Sequence, residues 1–334
     1  MTPPPSAPSA TPPSPPDDVV TVLPRGRTVF GMQLPVQSQS TIYVQPWEPA
    51  AGPEEMADVA RACEAAGFFY VAVCDHTFIP EHLAPAMGAT WYDTVATLGW
   101  LSGLTSSLRL LSHVYVAALR HPLRAVKEFA TLDRLSGGRV ICGIGAGHVR
   151  EEFDRMGPPF EQRGAAADEA VSAIARGLAT ATPSLPGPRW PASEVAVGPR
   201  PLQSPRPPVW IGGSSPAALR RAARFGDGWL PQSLGADPAL LGELRRLRRE
   251  LRGDAPLDIG GISEFLYVGS PPAGLEVPRR TVSGAPGQLA EALRPFADAG
   301  VGQVQVRFPA RSAGELCDQI AAFGAEVAPL VSPS

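Results

Sequence analysis

The sequence predicts an α/β chain folded as a single (β/α)8 barrel. Three observations carry that prediction. Apolar strand-type runs recur between Val29 and Phe308, with helical-period segments in the gaps between them. Eight such units follow one another, enough to close a barrel rather than leave an open sheet. A length of 334 residues with 44% apolar composition suits one large core of this kind.

Met1 to Pro16 holds eight prolines in sixteen residues and almost nothing to bury. Residues 1–27 are therefore expected to be a disordered Pro-rich tail, outside a single barrel domain of residues 28–330. Strand one runs from Val29 to Leu34 and stops at Pro35. A long polar loop, 36–52, follows. In the next segment Met56, Val59, Ala60 and Cys63 recur at helical spacing, and Gly67 closes that helix.

Strand two, Phe68 to Cys74, is apolar throughout, as a strand buried on both faces should be. An insertion is expected after it, at 77–92. A helix from Tyr92 to Leu104 leads to strand three, Ser106–Val116. Pro122 opens the following helix, where its missing N–H costs nothing. That helix stops at Gly137-Gly138, and strand four, Arg139–Ile144, leads into a glycine turn, Gly145-Ala146-Gly147. After a helix near 165–179 comes a second insertion, 180–207, rich in proline and glycine, with a short hairpin. Val209–Gly212, Gly228–Pro231, Ile259–Val268 and Gln303–Phe308 complete the strands. In the helix near 240–251 the leucines line one face. Arg245, Arg246, Arg248 and Arg249 are read as its solvated side.

A net charge of −3 and a pI near 6.0 give no basic footprint for nucleic acid. No run approaches the roughly 18 apolar residues of a membrane helix, and Met1-Thr-Pro-Pro-Pro lacks a signal-peptide core. Cys63, Cys74, Cys142 and Cys317 are scattered without metal-type spacing, as in a reduced compartment. The expected location is cytoplasmic.

Functional groups in such a barrel gather at the C-terminal ends of the strands. Asp75-His76 leaves strand two there. Position alone leaves two readings, a cap plus a packed ring or a group placed for proton transfer. His113 sits in the second half of strand three, where a core role is the simpler reading. Gly143-Ile-Gly145 lacks the third glycine of a dinucleotide fingerprint, because His148 stands in its place. Gly212-Gly-Ser-Ser-Pro216 ends strand five at a helix N-terminus. It reads both as an anion site and as an ordinary Ser215 cap with Pro216 at the first helical position. Gln33, Gln305 and Arg307 alternate toward the interior, and a buried Arg307 needs an anionic partner. His121 reads as a helix cap, and His82 lies near the barrel mouth.

Leu132-Asp-Arg-Leu-Ser-Gly-Gly-Arg139, Gly143-Ile-Gly-Ala-Gly147 and Glu151-Glu-Phe153 resemble the luciferase-like monooxygenase superfamily. Phe30-Gly-Met-Gln-Leu-Pro35, Cys74-Asp-His-Thr-Phe78, Leu119-Arg-His-Pro122, Pro208-Val-Trp-Ile-Gly-Gly-Ser-Ser215 and Ala222-Ala-Arg-Phe-Gly-Asp-Gly-Trp229 extend the likeness from about Val29 to the C-terminus. Within the superfamily the segment is most similar to oxidoreductases that use the deazaflavin coenzyme F420.

The resemblance implies hydride transfer between F420 and a small organic substrate, with His76, beside Asp75, aiding proton transfer. It implies a non-prolyl cis peptide at His113–Val114, forming a bulge behind the cofactor ring. It places His113, Val114, Gly145, Gly147 and His148 near the cofactor, and a cofactor phosphate at Gly212, Gly213 and Ser214; Gln33 joins the cofactor-binding candidates by its interior-facing place at the end of strand one. The family is commonly dimeric, so a homodimer is expected. The nearest rival is an FMN-dependent monooxygenase supplied by a separate reductase. Further rivals are a non-catalytic flavin-binding relative and a metal-dependent barrel hydrolase using Asp75, His76 and His82. Strand one offers that hydrolase no paired histidines, and no metal site is expected.

Overall fold

A computed structural model describes residues 13–41 and 44–331. Ten strands are assigned among them: β1 (Val29–Gln33), β2 (Tyr70–Val73), β3 (Arg109–Ser112), β4 (Tyr115–Val116), β5 (Val140–Gly145), β6 (Val209–Gly212), β7 (Gly228–Leu230), β8 (Asp258–Val268), β9 (Val282–Gly284) and β10 (Gln303–Arg307). The helices are α1 (Pro53–Ala65), α2 (Ala84–Met87), α3 (Thr94–Ser102), α4 (Pro122–Leu135), α5 (Arg150–Met156), α6 (Arg163–Ala179), α7 (Pro216–Phe225), α8 (Pro238–Arg252), α9 (Pro286–Asp298) and α10 (Ala313–Ala322).

The strands pair in parallel around a ring. β10 lies between β8 and β1 and so closes the barrel. The third barrel strand is split. β3 ends at Ser112, the His113–Val114 peptide is cis, and β4 resumes against β5. Its apolar pattern reads as one uninterrupted strand, whereas the family resemblance correctly places the break. β8 outruns the barrel rim, where its last residues pair with β9.

Most apolar side chains fill the layer between barrel and helices, among them Met56, Val59, Cys63, Val71 and Phe129. Inside the barrel the lower floor is built from two rings. Tyr70 and Trp210 meet edge to face with centroids 6.3 Å apart. A side chain at Gly31 would come within 2.2 Å of the Tyr70 ring, and one at Gly228 within 2.3 Å of Trp210. These glycines make room for aromatic packing.

Both insertions fall at the expected places. Residues 77–92 contain a short 3-10 turn, Glu81–Leu83, and α2. Residues 180–207 are irregular, with one antiparallel bridge joining Leu185 and Ala192. His121 caps α4, its Nδ1 accepting from the Leu123 N–H, as the sequence suggests.

Two readings need correction. Arg248 does not belong to a solvated face: it is buried and donates to the carbonyls of Ala223, Gly226, Ala255 and Pro256. A long aliphatic stem lets the charge pass under the helix to carbonyls that end neighbouring elements. Residues 13–27 have no regular secondary structure, yet they are bound to the barrel rather than detached from it. Proline carbonyls accept from arginines: Pro13 from Arg224, Pro15 from Arg176 and Pro16 from Arg252. The N–H groups of Val20 and Val22 donate to Asp227 and Asp258 at 2.9 and 2.8 Å, below the barrel floor. Val22 and Leu23 pack against the inner cluster. A segment poor in apolar residues reads as a tail, because the acceptors and donors that bind it lie more than 150 residues away. Residues 1–12 lie outside the described residues.

Candidate active site

The C-terminal ends of the strands surround a cavity of about 540 Å³. Gln33, Asp75, His76, His113, Val114, Gly145, Gly147, His148, Gly212 and Gly213 all line it, so one space gathers nearly every residue singled out above. Among the residues expected at the cofactor, Ser214 is the exception. Its Oγ accepts from the Gln232 N–H at 2.9 Å, and it does not line the cavity. The Gly213 N–H is also committed, to the Leu230 carbonyl at 3.0 Å. Beyond Gly212 and Gly213, this loop lines the cavity with Ser215, Ala217 and Ala218, where α7 begins. Ser215 caps that helix, its Oγ accepting from Ala218 N–H. Arg163 and Arg221 line the same region. Arg221 is fixed by Asp168 at 2.5 Å and by the Gly164 carbonyl. The Arg163 guanidinium lies 3.8 Å from the Phe160 ring centroid. Neither arginine belongs to a recognisable motif, and the sequence reading missed both.

The glycines also answer to the packing around them. A side chain at Gly145 would meet Val114 at 2.4 Å, and one at Gly212 would meet it at 2.6 Å. At Gly147, with φ +78°, the obstacles are Val116 and Phe153. The bare backbone at Gly145 and Gly212 lets Val114 seat itself between β5 and β6. Val114 then becomes the wall of the cavity.

Asp75 and His76 do different things. Asp75 is buried, and both of its oxygens are taken. Oδ2 accepts from the Val116 N–H at 2.7 Å, and Arg120 donates to Oδ2 and Oδ1 at 2.5 and 2.8 Å. A forked, charge-assisted pair of this kind is among the strongest side-chain contacts. Burial opposes the Arg120 charge, but Asp75 more than compensates and raises its pKa. Asp75 thus anchors the backbone just after Val114 from its place in the cavity lining.

His76 turns to a residue that the sequence reading left without a role. Its Nδ1 lies 3.0 Å from Oε2 of Glu152, and Oε1 of the same carboxylate accepts from the Thr77 N–H at 2.8 Å. Burial alone would raise the Glu152 pKa. The hydrogen bonds from His76 and the Thr77 and Phe78 backbone outweigh it and hold the carboxyl below the usual range. Trp91 packs edge-on against the His76 ring at 4.5 Å, and His148 does so at 5.3 Å. His148 is exposed at the rim, where desolvation first and His76 second lower its pKa. His82 stands away from the cavity lining and pairs with Glu151 at 3.4 Å.

Past the end of β3, burial and then the Arg307 charge push the His113 pKa down to about 4, so this ring is neutral at neutral pH. Its Nδ1 is buried with no protein partner. Among the described residues, no group of three or more histidines, cysteines or acids could hold a metal ion. None of their helices is long and apolar enough to cross a membrane.

Comparison with known proteins places the geometry. The sequence profile of the luciferase-like monooxygenases matches residues 28–276. An uncharacterised protein of Mycobacterium tuberculosis is 32% identical over 222 residues, 61% of this chain and 75% of that one. An F420-dependent glucose-6-phosphate dehydrogenase of Microbacterium testaceum is 31% identical over 198 residues, which cover 58% of this chain and 56% of that enzyme. The match to that relative thus spans about half of its length. A solved monooxygenase from Streptomyces bottropensis superposes with a TM-score of 0.71 at 20% identity, over 90% of this chain and 99% of that one. At that identity the likeness is one of fold.

Proposed function

Since the chain belongs to the luciferase-like monooxygenase family, we propose that it is an oxidoreductase. It binds the deazaflavin coenzyme F420 in the cavity at the barrel mouth and exchanges hydride between F420 and a small organic substrate. The observation that carries this reading is a histidine with a buried carboxylate partner, His76–Glu152, on a cavity backed by Val114. The sequence likeness to an F420-dependent enzyme supports the choice of cofactor.

The residues present fit such a group. A volume of about 540 Å³ falls in the range of roughly 300–1,000 Å³ typical of ligand pockets. The buried His113 Nδ1 offers a polar contact that no protein group takes up. At the other end, the α7 N-terminus with Arg163 and Arg221 would hold a phosphate. When bound, the deazaflavin would supply the hydride chemistry. The protein's own part is to orient the ring against Val114, to exclude water with Trp91 and the loop after β2, and to move a proton at His76.

The test is titration of the purified chain with F420 and, separately, with FMN. Quenching of deazaflavin fluorescence at micromolar F420, with weaker FMN binding, is expected. FMN binding without F420 binding would replace this reading with that of a flavin monooxygenase served by a separate reductase.

A further inference from the structure

We propose that Glu152 is a positioning residue: it keeps a proton on Nδ1 of His76 and so leaves Nε2 as the nitrogen that exchanges a proton inside the cavity. This deepens the functional reading and rests on it for what His76 does, although not for the geometry itself.

The bond account at Glu152 leaves little freedom. The side chain is about 1% exposed, with one oxygen on His76 Nδ1 and the other on the Thr77 N–H. An ionised carboxylate only accepts, so the nitrogen facing it must carry hydrogen. A neutral imidazole has one N–H. With that hydrogen on Nδ1, Nε2 has the lone pair. When Nε2 takes a proton, the same carboxylate faces the imidazolium and stabilises it. The bond therefore serves both halves of a proton-transfer cycle.

No neighbouring charge competes for the ring. Asp75 adjoins it in sequence, but its oxygens are held by Arg120 and Val116. Arg120 is occupied by Asp75 in turn. Glu151 points to His82. His148 touches the ring only by its edge, and its pKa is lowered, by desolvation first and by His76 second. Of these groups, only Glu152 contributes a hydrogen bond to the imidazole. The reach comes from α5, which starts three residues beyond the Gly145–Gly147 turn. The second oxygen pins the backbone at Thr77, so ring position and ring tautomer are set by one carboxylate.

The tautomer is directly readable by nitrogen-15 NMR on the full chain labelled at its five histidines. His76 is assigned by the signal that disappears in His76→Asn. At mildly alkaline pH, wild-type His76 should show a protonated Nδ1 and a bare Nε2. A proton on Nε2 in the wild type would overturn the proposal before any variant is made. In Glu152→Gln the amide offers a donor as well as an acceptor, so the Nδ1–H form should lose at least about half of its population. Turnover should fall by about tenfold to a hundredfold, with F420 affinity unchanged. An unchanged tautomer in a folded Glu152→Gln protein would overturn the proposal, whatever happens to turnover. If F420 fails to bind at all, the cofactor assignment falls, while the tautomer measurement still decides the role of Glu152.

Discussion

His76 is held by Glu152 at Nδ1 and flanked by the edges of Trp91 and His148, so its free face is turned to the cavity. Replacing a general acid or base typically costs two to four powers of ten in rate, whereas losing a binding contact weakens affinity. His76→Asn should therefore keep F420 affinity within about a few-fold and lose at least about a hundredfold in turnover. Fluorescence titration and single-turnover hydride transfer measure the two quantities separately. Near-normal turnover would remove His76 from the proton step. His76 was legible as a candidate because it stands just past an apolar strand, at the end where barrels place reactive groups, and the Cys74-Asp-His-Thr-Phe78 likeness then favoured proton transfer over packing. Its partner was not. Asp75 is adjacent in the chain, but neighbouring residues leaving a strand point opposite ways, and Asp75 turns to Arg120. Glu152 lies 76 positions away and reaches His76 only because β2 and β5 end at the same rim. Arg163 and Arg221 escaped notice for the same reason: only the closed barrel makes them neighbours.

At the scale of elements, the most recognisable motif turns out to hold the scaffold rather than the ligand. Asp133 in Leu-Asp-Arg-Leu is fully buried and accepts from the N–H groups of Leu202 and Gln203 and from the Gln203 side chain. That ties the end of the long insertion to α4. Arg139 donates to the carbonyls of Ser102, Thr105 and Leu108, which secures the link between α3 and β3. The helical and strand periods predicted these elements well, because each buries a regular face. The division of the third strand leaves no trace in apolar alternation, since residues on both sides of it remain buried. The seating of Val114 against Gly145 and Gly212 can be tested. A methyl group at Gly212 would lie 2.6 Å from Val114 Cγ1. Overpacking of this kind costs about 1–3 kcal/mol. Gly212→Ala should displace Val114 into the cavity and weaken F420 binding by about tenfold. Val114→Ala in the same protein should restore most of that loss, because the clash is removed at its source. A double variant as weak as Gly212→Ala alone would mean that Gly212 matters by another route.

Across the whole molecule the two ends of the barrel are divided between chemistry and stability. The open end gathers the histidines, Glu152 and the arginines. The closed end is sealed by residues 13–27 and by buried carboxylates that accept from their backbone. Asp258 is the informative one. Burial, with the opposing N–H bonds of Val22 and Leu23 outweighed and the Asp227 charge adding to the rise, pushes its pKa up to about 6. An unfolded aspartate titrates near 3.9, so the folded state binds this proton more tightly than the unfolded one. The resulting stabilisation is fully present below about pH 4 and is lost as pH rises through about 6. Asp258→Asn cannot ionise and keeps an acceptor for the Val22 N–H. Its melting temperature relative to the wild type should therefore improve by roughly a few degrees between about pH 4.5 and pH 7.5. Thermal melts of both proteins across that range provide the check. Because Asp258 lies at the start of β8, below the floor formed by Tyr70 and Trp210, F420 affinity should not move with it. A constant difference in melting temperature across the range would show that Asp258 titrates as it does in the unfolded chain, and the seal would then owe its strength to packing at Val22 and Leu23 alone.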